Sequence, residues 1–247
     1  MRTFGLIGYP LTHSFSQGYF SEKFKNEGIE ARYLNFPISS IHDFCGLLEQ
    51  HPYLAGLNVT IPYKEQVLPY LDELDDEAAR IGAVNVIKIF WDKKRPFLKG
   101  YNSDVKGFFN ALQPLLQPWH GKALILGTGG ASKAVAHGLL NAGILYRFVS
   151  RHPKGPSQVS YEALTPEIIS EYKLIINTSP LGMYPNIETC PPLSYEAITQ
   201  QHLIFDLIYN PETTLFMKRA SENGAVVKNG LEMLHLQAEE AWKIWNG

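Results

Sequence analysis

Residues 124–135 read LILGTGGASKAV, an apolar run that enters a glycine turn and leaves it in a helix-forming segment. Gly127 allows a tight turn, and Gly129 lets the backbone approach a pyrophosphate. The helix that follows directs its positive N-terminus at the same phosphate. This order of strand, turn and helix predicts a dinucleotide-binding turn in a Rossmann-type sheet.

The motif leaves a second interpretation open. Its third small position is Ser132 rather than Gly or Ala, and glycine-rich turns also join strands to helices where no nucleotide binds. A phosphate-binding loop of the NTPase kind is excluded, because Lys133 is followed by Ala134 and not by Ser or Thr.

The whole chain has the composition of an ordinary soluble protein. Its 247 residues are 45% hydrophobic and 19% charged, with a formal net charge of −2, which gives no reason to expect nucleic acid or an anionic membrane as partner. We expect neither a secretory signal nor a membrane span. The two cysteines, Cys45 and Cys190, form no CxxC pair, and the eight histidines form no ligand motif, so we predict a cytoplasmic protein without a metal site.

Short apolar runs alternate with amphipathic ones along the chain, which predicts an α/β architecture with mainly parallel strands. About half of the chain precedes the glycine turn, enough for a separate domain. In the first half we predict strands at 3–9, 31–36 and 54–59, helices at 17–26 and 41–50, and a hairpin of 83–90 with 97–100. In the second half we predict a helix at 104–112, strands at 123–126, 146–150, 174–177, 203–206 and 225–228, and a last helix at 231–245.

The segment Asn58-Val59-Thr60-Ile61-Pro62-Tyr63-Lys64-Glu65 directly follows a predicted strand. Functional groups at the carboxyl ends of strands face the ligand crevice of an open α/β sheet. Lys64 could therefore exchange a proton with a ligand. Alternatively, Pro62 begins a helix, and Lys64 and Glu65 are solvated charges of its first turn.

Several motifs, in order along nearly the whole chain, resemble the shikimate dehydrogenase family. They are GYPLTHSFS at 8–16, NVTIPYKE at 58–65, GAVN at 82–85, GYNSD at 100–104, GTGGAS at 127–132, NTSPLGM at 177–183 and NGLEMLHLQ at 229–237. The resemblance implies a two-domain α/β enzyme that reduces 3-dehydroshikimate to shikimate with NADPH, in the pathway to chorismate and the aromatic amino acids. It implies a substrate-binding catalytic domain of residues 1–103, joined by the C-terminal helix 231–247, and an NADP-binding Rossmann-like domain of residues 104–230.

The resemblance also implies roles for polar side chains of the first domain and its neighbours. Hydroxyl and amide groups suit a small polyhydroxy acid, because they supply both donors and acceptors. The implied substrate-binding residues are Ser14, Ser16, Asn58, Thr60, Asn85, Tyr209 and Gln237. Taken alone, Ser16 would be interpreted as the cap of the following helix.

Lys64 and Asp104 resemble the catalytic pair of the family. Oxidation of the shikimate hydroxyl requires loss of its proton, so a positioned proton shuttle is needed. A carboxylate beside the lysine favours the charged amine, and the two groups are best treated as a coupled pair. The alternative for Asp104 is that of a first-turn acid of the helix that begins there.

The residues after the second Rossmann strand and the family resemblance both indicate which cofactor is bound. An NAD site usually carries an acid at the end of the second Rossmann strand, whereas here that strand leads into Ser150, Arg151, His152 and Lys154. The cations suit a 2′-phosphate, so NADP is favoured, although the family's Asn-Arg-Thr is replaced by Ser-Arg-His. The implied cofactor-binding residues are Gly127, Thr128, Gly129, Gly130, Ala131, Ser132, Ser150, Arg151, Lys154, Thr178, Ser179, Met183, Leu207 and Gly230.

We therefore expect an NADP-dependent shikimate dehydrogenase that acts as a monomer or homodimer on a small-molecule substrate. Two alternatives remain. One is a quinate/shikimate dehydrogenase that uses NAD, and the other is a catalytically silent ligand-sensing module on the same fold.

Overall fold

The computed structural model describes residues 1–11, 14–91 and 95–247, and it confirms the α/β class. The chain divides into two compact units. Unit 1 comprises Met1–Ser103 and Ala238–Gly247, and unit 2 comprises Asp104–Gln237. The last helix is thus divided after Gln237, whereas the family resemblance implies that all of it belongs to the first domain. Within the described ranges, no helix is long and apolar enough to cross a membrane.

Unit 1 is built on a mixed sheet. Its strands are β1 (Arg2–Gly8), β2 (Ala31–Pro37), β3 (Leu54–Val59), β4 (Glu73–Leu74), β5 (Val86–Trp91) and β6 (Pro96–Tyr101), and its helices are α1 (Phe15–Asn26), α2 (Phe44–Gln50), α3 (Tyr63–Gln66) and α4 (Asp76–Ile81). Among the described residues the strand order is β2-β1-β3-β5-β6-β4. Strand β1 runs parallel to β2 and β3, and β5 is antiparallel to β3 and β6. The predicted hairpin is therefore present, although residues 92–94 of its turn lie outside the described residues.

Close packing against the sheet fixes the C-terminal end of the last helix, α9 (Leu231–Asn246). The Trp245 indole lies where a Cβ at Gly56 would be, 2.3 Å from that position. Its Nε1 donates to the Ile87 carbonyl at 3.1 Å, and its ring stacks on Phe4 at 4.7 Å between centroids. Only glycine at position 56 leaves room for this docking, so the C-terminal residues of the chain belong to the core of unit 1.

Unit 2 has the strand order of a Rossmann sheet. Its strands are β7 (Lys122–Leu126), β8 (Leu145–Val149), β9 (Gln158–Val159), β10 (Leu174–Asn177), β11 (Leu203–Asp206) and β12 (Val226–Lys228), and its helices are α5 (Asp104–Leu112), α6 (Gly130–Asn141), α7 (Pro166–Glu171), α8 (Leu215–Glu222) and the first part of α9. In the described chain the order is β12-β11-β10-β7-β8-β9, with every pairing parallel. Five of these strands are predicted from the sequence, and the two-residue β9 is the addition.

Two apolar layers enclose this sheet. One layer includes Ile125, Ile176 and Phe205, and the opposite layer includes Leu124 and Ile175. Burial on both faces explains why these strands are continuous apolar runs rather than alternating ones. The strand order reverses between β7 and β10, and ligands of open α/β sheets bind at the carboxyl ends of strands at such a point.

Candidate active site

Polar residues of unit 1 gather at the carboxyl edge of the parallel strands β1 and β3. Thr60 follows β3, and its N–H donates to the Ile7 carbonyl at the end of β1 at 2.9 Å. A Cβ at Gly8 would lie 2.4 Å from Thr60 Cγ2, so the Thr60 side chain packs directly over that glycine. Asn85 precedes the antiparallel β5, and its carbonyl accepts from the Val59 N–H at 2.9 Å. The strand pairing therefore brings Thr60 and Asn85 to one edge, beside Asn58.

A hydrogen-bonded chain holds the two asparagine side chains at this edge. The buried Asn58 accepts at Oδ1 from the Tyr33 hydroxyl at 2.7 Å, and its Nδ2 donates to the Asn85 carbonyl at 3.3 Å. Asn85 Oδ1 accepts from the Ser103 N–H at 2.7 Å, and its Nδ2 donates to Ser103 Oγ at 3.0 Å. No role was predicted for Tyr33 or Ser103 from the sequence. Tyr33 lies on β2 outside every quoted motif, and Ser103 lies in the GYNSD motif, between β6 and α5, without an implied role.

The two serines of the N-terminal motif lie at the start of α1. The helix begins at Phe15, two residues before the predicted start, so the cap is Ser14, whose Oγ accepts from the Gln17 N–H at 3.3 Å. The interpretation of Ser16 as a helix cap is wrong, since Ser16 lies in the first turn of α1 and Ser14 is the cap. The neighbouring motif residues 12 and 13 lie outside the described residues.

Lys64 and Asp104 each lie at the start of a helix, in different units. Lys64 is half-buried in α3, and its carbonyl accepts from the Val84 N–H at 2.8 Å. Asp104 is the first residue of α5 and is 4% exposed. Such burial is uncommon for an acid whose only task is to face solvent from a first helical turn.

Gln237 lies beside the helix that Asp104 begins. A Cβ at Gly107, one turn after Asp104, would be 2.8 Å from Gln237 Cβ and 2.9 Å from the Met233 carbonyl. Glycine at this position lets α5 and α9 approach closely within unit 2. The structure thus places the predicted substrate residue Gln237 near the start of α5.

The glycine turn of unit 2 has the predicted conformation. Gly127 has a φ of +124°, which favours glycine, and its N–H donates to the Val149 carbonyl at 2.9 Å. Gly129 is the N-cap of α6, and within the described chain no side chain caps this helix. A Cβ at Gly129 would have open space around it. The turn therefore leaves the positive end of α6 accessible, with Thr128, Gly130 and Ala131 forming its rim.

Ser132 stabilises the glycine turn through a hydrogen bond. It is fully buried, and its hydroxyl donates to the Gly129 carbonyl at 2.5 Å. The unusual third position of the motif thus has a structural role, because its hydroxyl holds the carbonyl of the turn.

The segment after β8 exposes cations. Arg151 and Lys154 are exposed, and burial raises the pKa of the adjacent Tyr161, an effect that the nearby Arg151 guanidinium opposes. Ser150 accepts at Oγ from the His152 N–H at 3.2 Å. The first acid after the strand is Glu162, beyond β9. The strand end therefore presents positive charge, which suits a phosphate.

A buried carboxylate ties together the loops after β10 and β11. Asp206, fully buried, accepts from Thr214 Oγ1 at 2.7 Å, from the Ile208 N–H at 3.1 Å and from Asn177 Nδ2 at 3.0 Å. Burial raises the pKa of Asp206 to about 6, against the effect of its three donors. Asn177 Oδ1 in turn accepts from the Ser179 N–H and hydroxyl at 3.0 and 2.6 Å. Asp206 was not predicted from the sequence, because an acid at a strand end gives no signal until its neighbours are known.

The remaining predicted cofactor residues lie around the same strand ends. The Thr178 hydroxyl donates to the Leu126 carbonyl at 2.8 Å and so spans β10 and β7. A Cβ at Gly230 would lie 2.1 Å from the Leu207 carbonyl oxygen, which excludes any side chain there. Met183, a predicted cofactor residue, and Tyr209, a predicted substrate residue, are more peripheral, with 45% and 38% of their surfaces exposed.

Metal-binding geometry does not occur in the described ranges, where no three His, Cys, Asp or Glu side chains are grouped.

Known proteins resemble this chain in both sequence and structure. The family model for the shikimate dehydrogenase substrate binding domain matches residues 6–87. The NADP(+) shikimate dehydrogenase of Clostridium beijerinckii is 40% identical, over 99% of this chain and 92% of its own length. That of Caldanaerobacter subterraneus subsp. tengcongensis is 34% identical, over 100% and 92%. The crystal structure of shikimate 5-dehydrogenase from Thermus thermophilus in complex with NADP(H) and shikimate has a TM-score of 0.86 and 32% identity, and the match covers 100% of this chain and 94% of that one.

Proposed function

The chain belongs to the shikimate dehydrogenase family, and we propose that it catalyses the reversible, NADPH-dependent reduction of 3-dehydroshikimate to shikimate. The observation that carries this proposal is the combination of a Rossmann turn followed by cations in unit 2 with an amide- and hydroxyl-lined strand edge in unit 1. A dinucleotide and a small polyhydroxy acid require these two kinds of surface.

The residues of unit 2 fit NADP. The open helix N-terminus at Gly129 suits a pyrophosphate, and the exposed Arg151 can grip a 2′-phosphate through paired charge-assisted bonds. Lys154 adds a less directional charge. We assign the rest of the cofactor site to the strand ends that carry Thr178, Ser179, Met183, Leu207 and Gly230, with Ser150 beside Arg151.

The polar residues of unit 1 suit a small hydroxy acid as substrate. We assign the carboxylate and hydroxyls of the substrate to Ser14, Ser16, Asn58, Thr60 and Asn85, together with Gln237 and Tyr209 of unit 2. The hydrogen bonds described above hold Asn58 and Asn85 in one orientation before any ligand arrives. A side chain that is already ordered loses less entropy on binding, which favours affinity.

We assign the proton transfer to Lys64 and Asp104 as a coupled pair. Oxidation of the hydroxyl removes one hydride and one proton. A bound nicotinamide would supply the hydride acceptor. Lys64 and Asp104 would take the proton from the hydroxyl, and in the reverse direction they would return it. Asp104 keeps little contact with solvent, which strengthens its electrostatic interaction with a neighbouring charge.

We propose that the protein binds no nucleic acid, and the net charge of −2 supports this proposal. We propose that the enzyme works in the cytoplasm as a monomer or a homodimer, and sedimentation at assay concentration decides between these two states.

An absorbance assay of nicotinamide reduction tests the proposed activity. The purified protein is incubated with shikimate or quinate and with NADP or NAD, in all four combinations. We expect the highest kcat/KM for shikimate with NADP. A preference for quinate with NAD would instead favour the quinate/shikimate dehydrogenase, and absence of turnover despite shikimate binding would favour the ligand-sensing module. Lys64→Ala is the control for background activity of the preparation.

A further inference from the structure

Tyr33 lies beneath the substrate edge of unit 1 and has no assigned role. It is 3% exposed, and its ring stacks on Phe20 with 4.8 Å between centroids. Its hydroxyl reaches from β2 across β1 to Asn58 on β3, where the oxygens are 2.7 Å apart. A buried hydroxyl that spans three strands to meet an amide of the proposed site is more than core filling.

The direction of each hydrogen bond around Tyr33 follows from counting protons. The Asn85 carbonyl can only accept, so the Asn58 atom that faces it at 3.3 Å is Nδ2. The Asn58 atom that faces Tyr33 is then Oδ1, which also can only accept, and the tyrosine must donate its single proton there. Burial raises the pKa of Tyr33, which keeps the proton on its hydroxyl.

This arrangement decides what Asn58 offers to a ligand. Its Oδ1 is committed to Tyr33 and one N–H to Asn85. Among the described residues, no acceptor faces the second N–H. Asn58 can therefore present a donor. If the amide turned over, its oxygen would face the Asn85 carbonyl and the bond that Tyr33 donates to Oδ1 would be lost.

Accepting the proposed function, we propose that Tyr33 is a positioning residue for substrate recognition: its hydroxyl locks the Asn58 amide so that an N–H, and not a carbonyl, meets an oxygen of the bound hydroxy acid. Tyr33 does not touch the substrate in this proposal. It acts through Asn58, the acceptor of its only proton, which separates it from residues that bind directly.

Tyr33→Phe tests the proposal, because it removes one hydroxyl and keeps the ring stacked on Phe20. Steady-state kinetics should show the KM for shikimate raised roughly 5- to 30-fold, since Asn58 Oδ1 loses its donor and the amide is free to turn. The KM for NADP should stay within about twofold. Calorimetric titration of shikimate into the cofactor-free protein should show a similar loss of affinity, which does not depend on turnover.

A double-mutant cycle shows whether Tyr33 acts through Asn58. In an Asn58→Ala background, Tyr33→Phe should change the KM for shikimate by less than about twofold, whereas in a Ser14→Ala background its effect should persist in full. Tyr70→Phe is the matched control, because that hydroxyl meets His42 Nδ1 at 3.0 Å elsewhere in unit 1. It should alter neither KM.

The outcomes separate this inference from the proposed function. If the wild-type protein does not oxidise shikimate, the proposed function fails. If the wild type is active and Tyr33→Phe leaves the KM for shikimate unchanged, or multiplies fully with Asn58→Ala, the positioning role is overturned while the proposed function stands. An equal rise in the KM of both substrates would also overturn it, because that pattern indicates general destabilisation.

Discussion

Substitution of Gly129 by alanine should separate cofactor binding from stability. Gly129 has a φ of −84°, which alanine adopts without strain, and a Cβ there would meet no atom within 4 Å. The free energy of unfolding should therefore change by less than about 1 kcal/mol, because the fewer unfolded conformations of alanine offset its lower preference for a helix N-cap. The added methyl would stand at the open N-terminus of α6, where we place the pyrophosphate.

We expect Gly129→Ala to weaken NADP binding by about 1–3 kcal/mol, the usual cost of forcing an extra methyl into a close contact, or roughly 5- to 150-fold in Kd. Calorimetric titration of NADP gives the affinity, and urea unfolding gives the stability. The KM for shikimate should change little, because its proposed ligands lie elsewhere.

Two neighbouring glycines provide the controls. Gly127 has a φ of +124°, and its Cβ would lie 2.6 Å from Thr178 Oγ1, so Gly127→Ala should lose about 1–3 kcal/mol of stability. Gly121 precedes β7 and also has open space, so Gly121→Ala should change neither quantity. An unchanged NADP Kd in Gly129→Ala, with native stability, would refute the assignment of this turn to the pyrophosphate.

Three further predictions follow from the proposed site and from buried histidines. Lys64→Ala and Asp104→Asn should each reduce kcat by roughly 10²–10⁴-fold, and the double variant should lose less than the product, whereas independent groups would multiply fully. Arg151→Ala should raise the KM for NADP roughly 10- to 150-fold and leave that for NAD nearly unchanged, and equal losses would contradict a 2′-phosphate contact. Burial lowers the pKa of both His120 and His202, whose Nδ1 atoms accept from backbone N–H groups. Stability should therefore be complete above about pH 6.5 and fall as pH drops below it, more in the wild type than in His120→Asn/His202→Asn, as pH-dependent urea unfolding would show.

The strands buried on both faces are the part of the fold that the sequence predicts best. Strands β3, β10 and β11 and helix α5 have the predicted bounds, because each apolar run is ended by polar residues. Strand β9 has two residues, too few for any period to be detected, and it is held by pairing with β8. Helix α4 was missed although Asp75 caps it and Gly82 ends it with a φ of +68°, since six residues fall below the length that periodicity requires.

Some site residues were also predicted from the sequence, and others were not. The glycines of the turn were predicted from their spacing along the chain, whereas the role of Lys64 was predicted from the resemblance of its motif to the family. Tyr33 and Asp206 were not, because each acts through partners that only the strand order brings near. Asn58 is 25 residues from Tyr33, and β1 lies between their strands. No local pattern contains that information.

The two units hold their proposed ligand-binding groups in place by different physical means. In unit 2 the buried side chains of Asn177 and Asp206 are occupied in holding loop backbone, and the proposed phosphate contact is made by main-chain N–H groups at Gly129. In unit 1 the side-chain amides of Asn58 and Asn85 are themselves the proposed ligands, and other groups hold them. Backbone N–H groups recognise a phosphate whatever is attached to it, whereas an oriented amide distinguishes a donor from an acceptor at one position. Substitutions that change which acid is bound should therefore be sought around Asn58, including at Tyr33, rather than in the glycine turn.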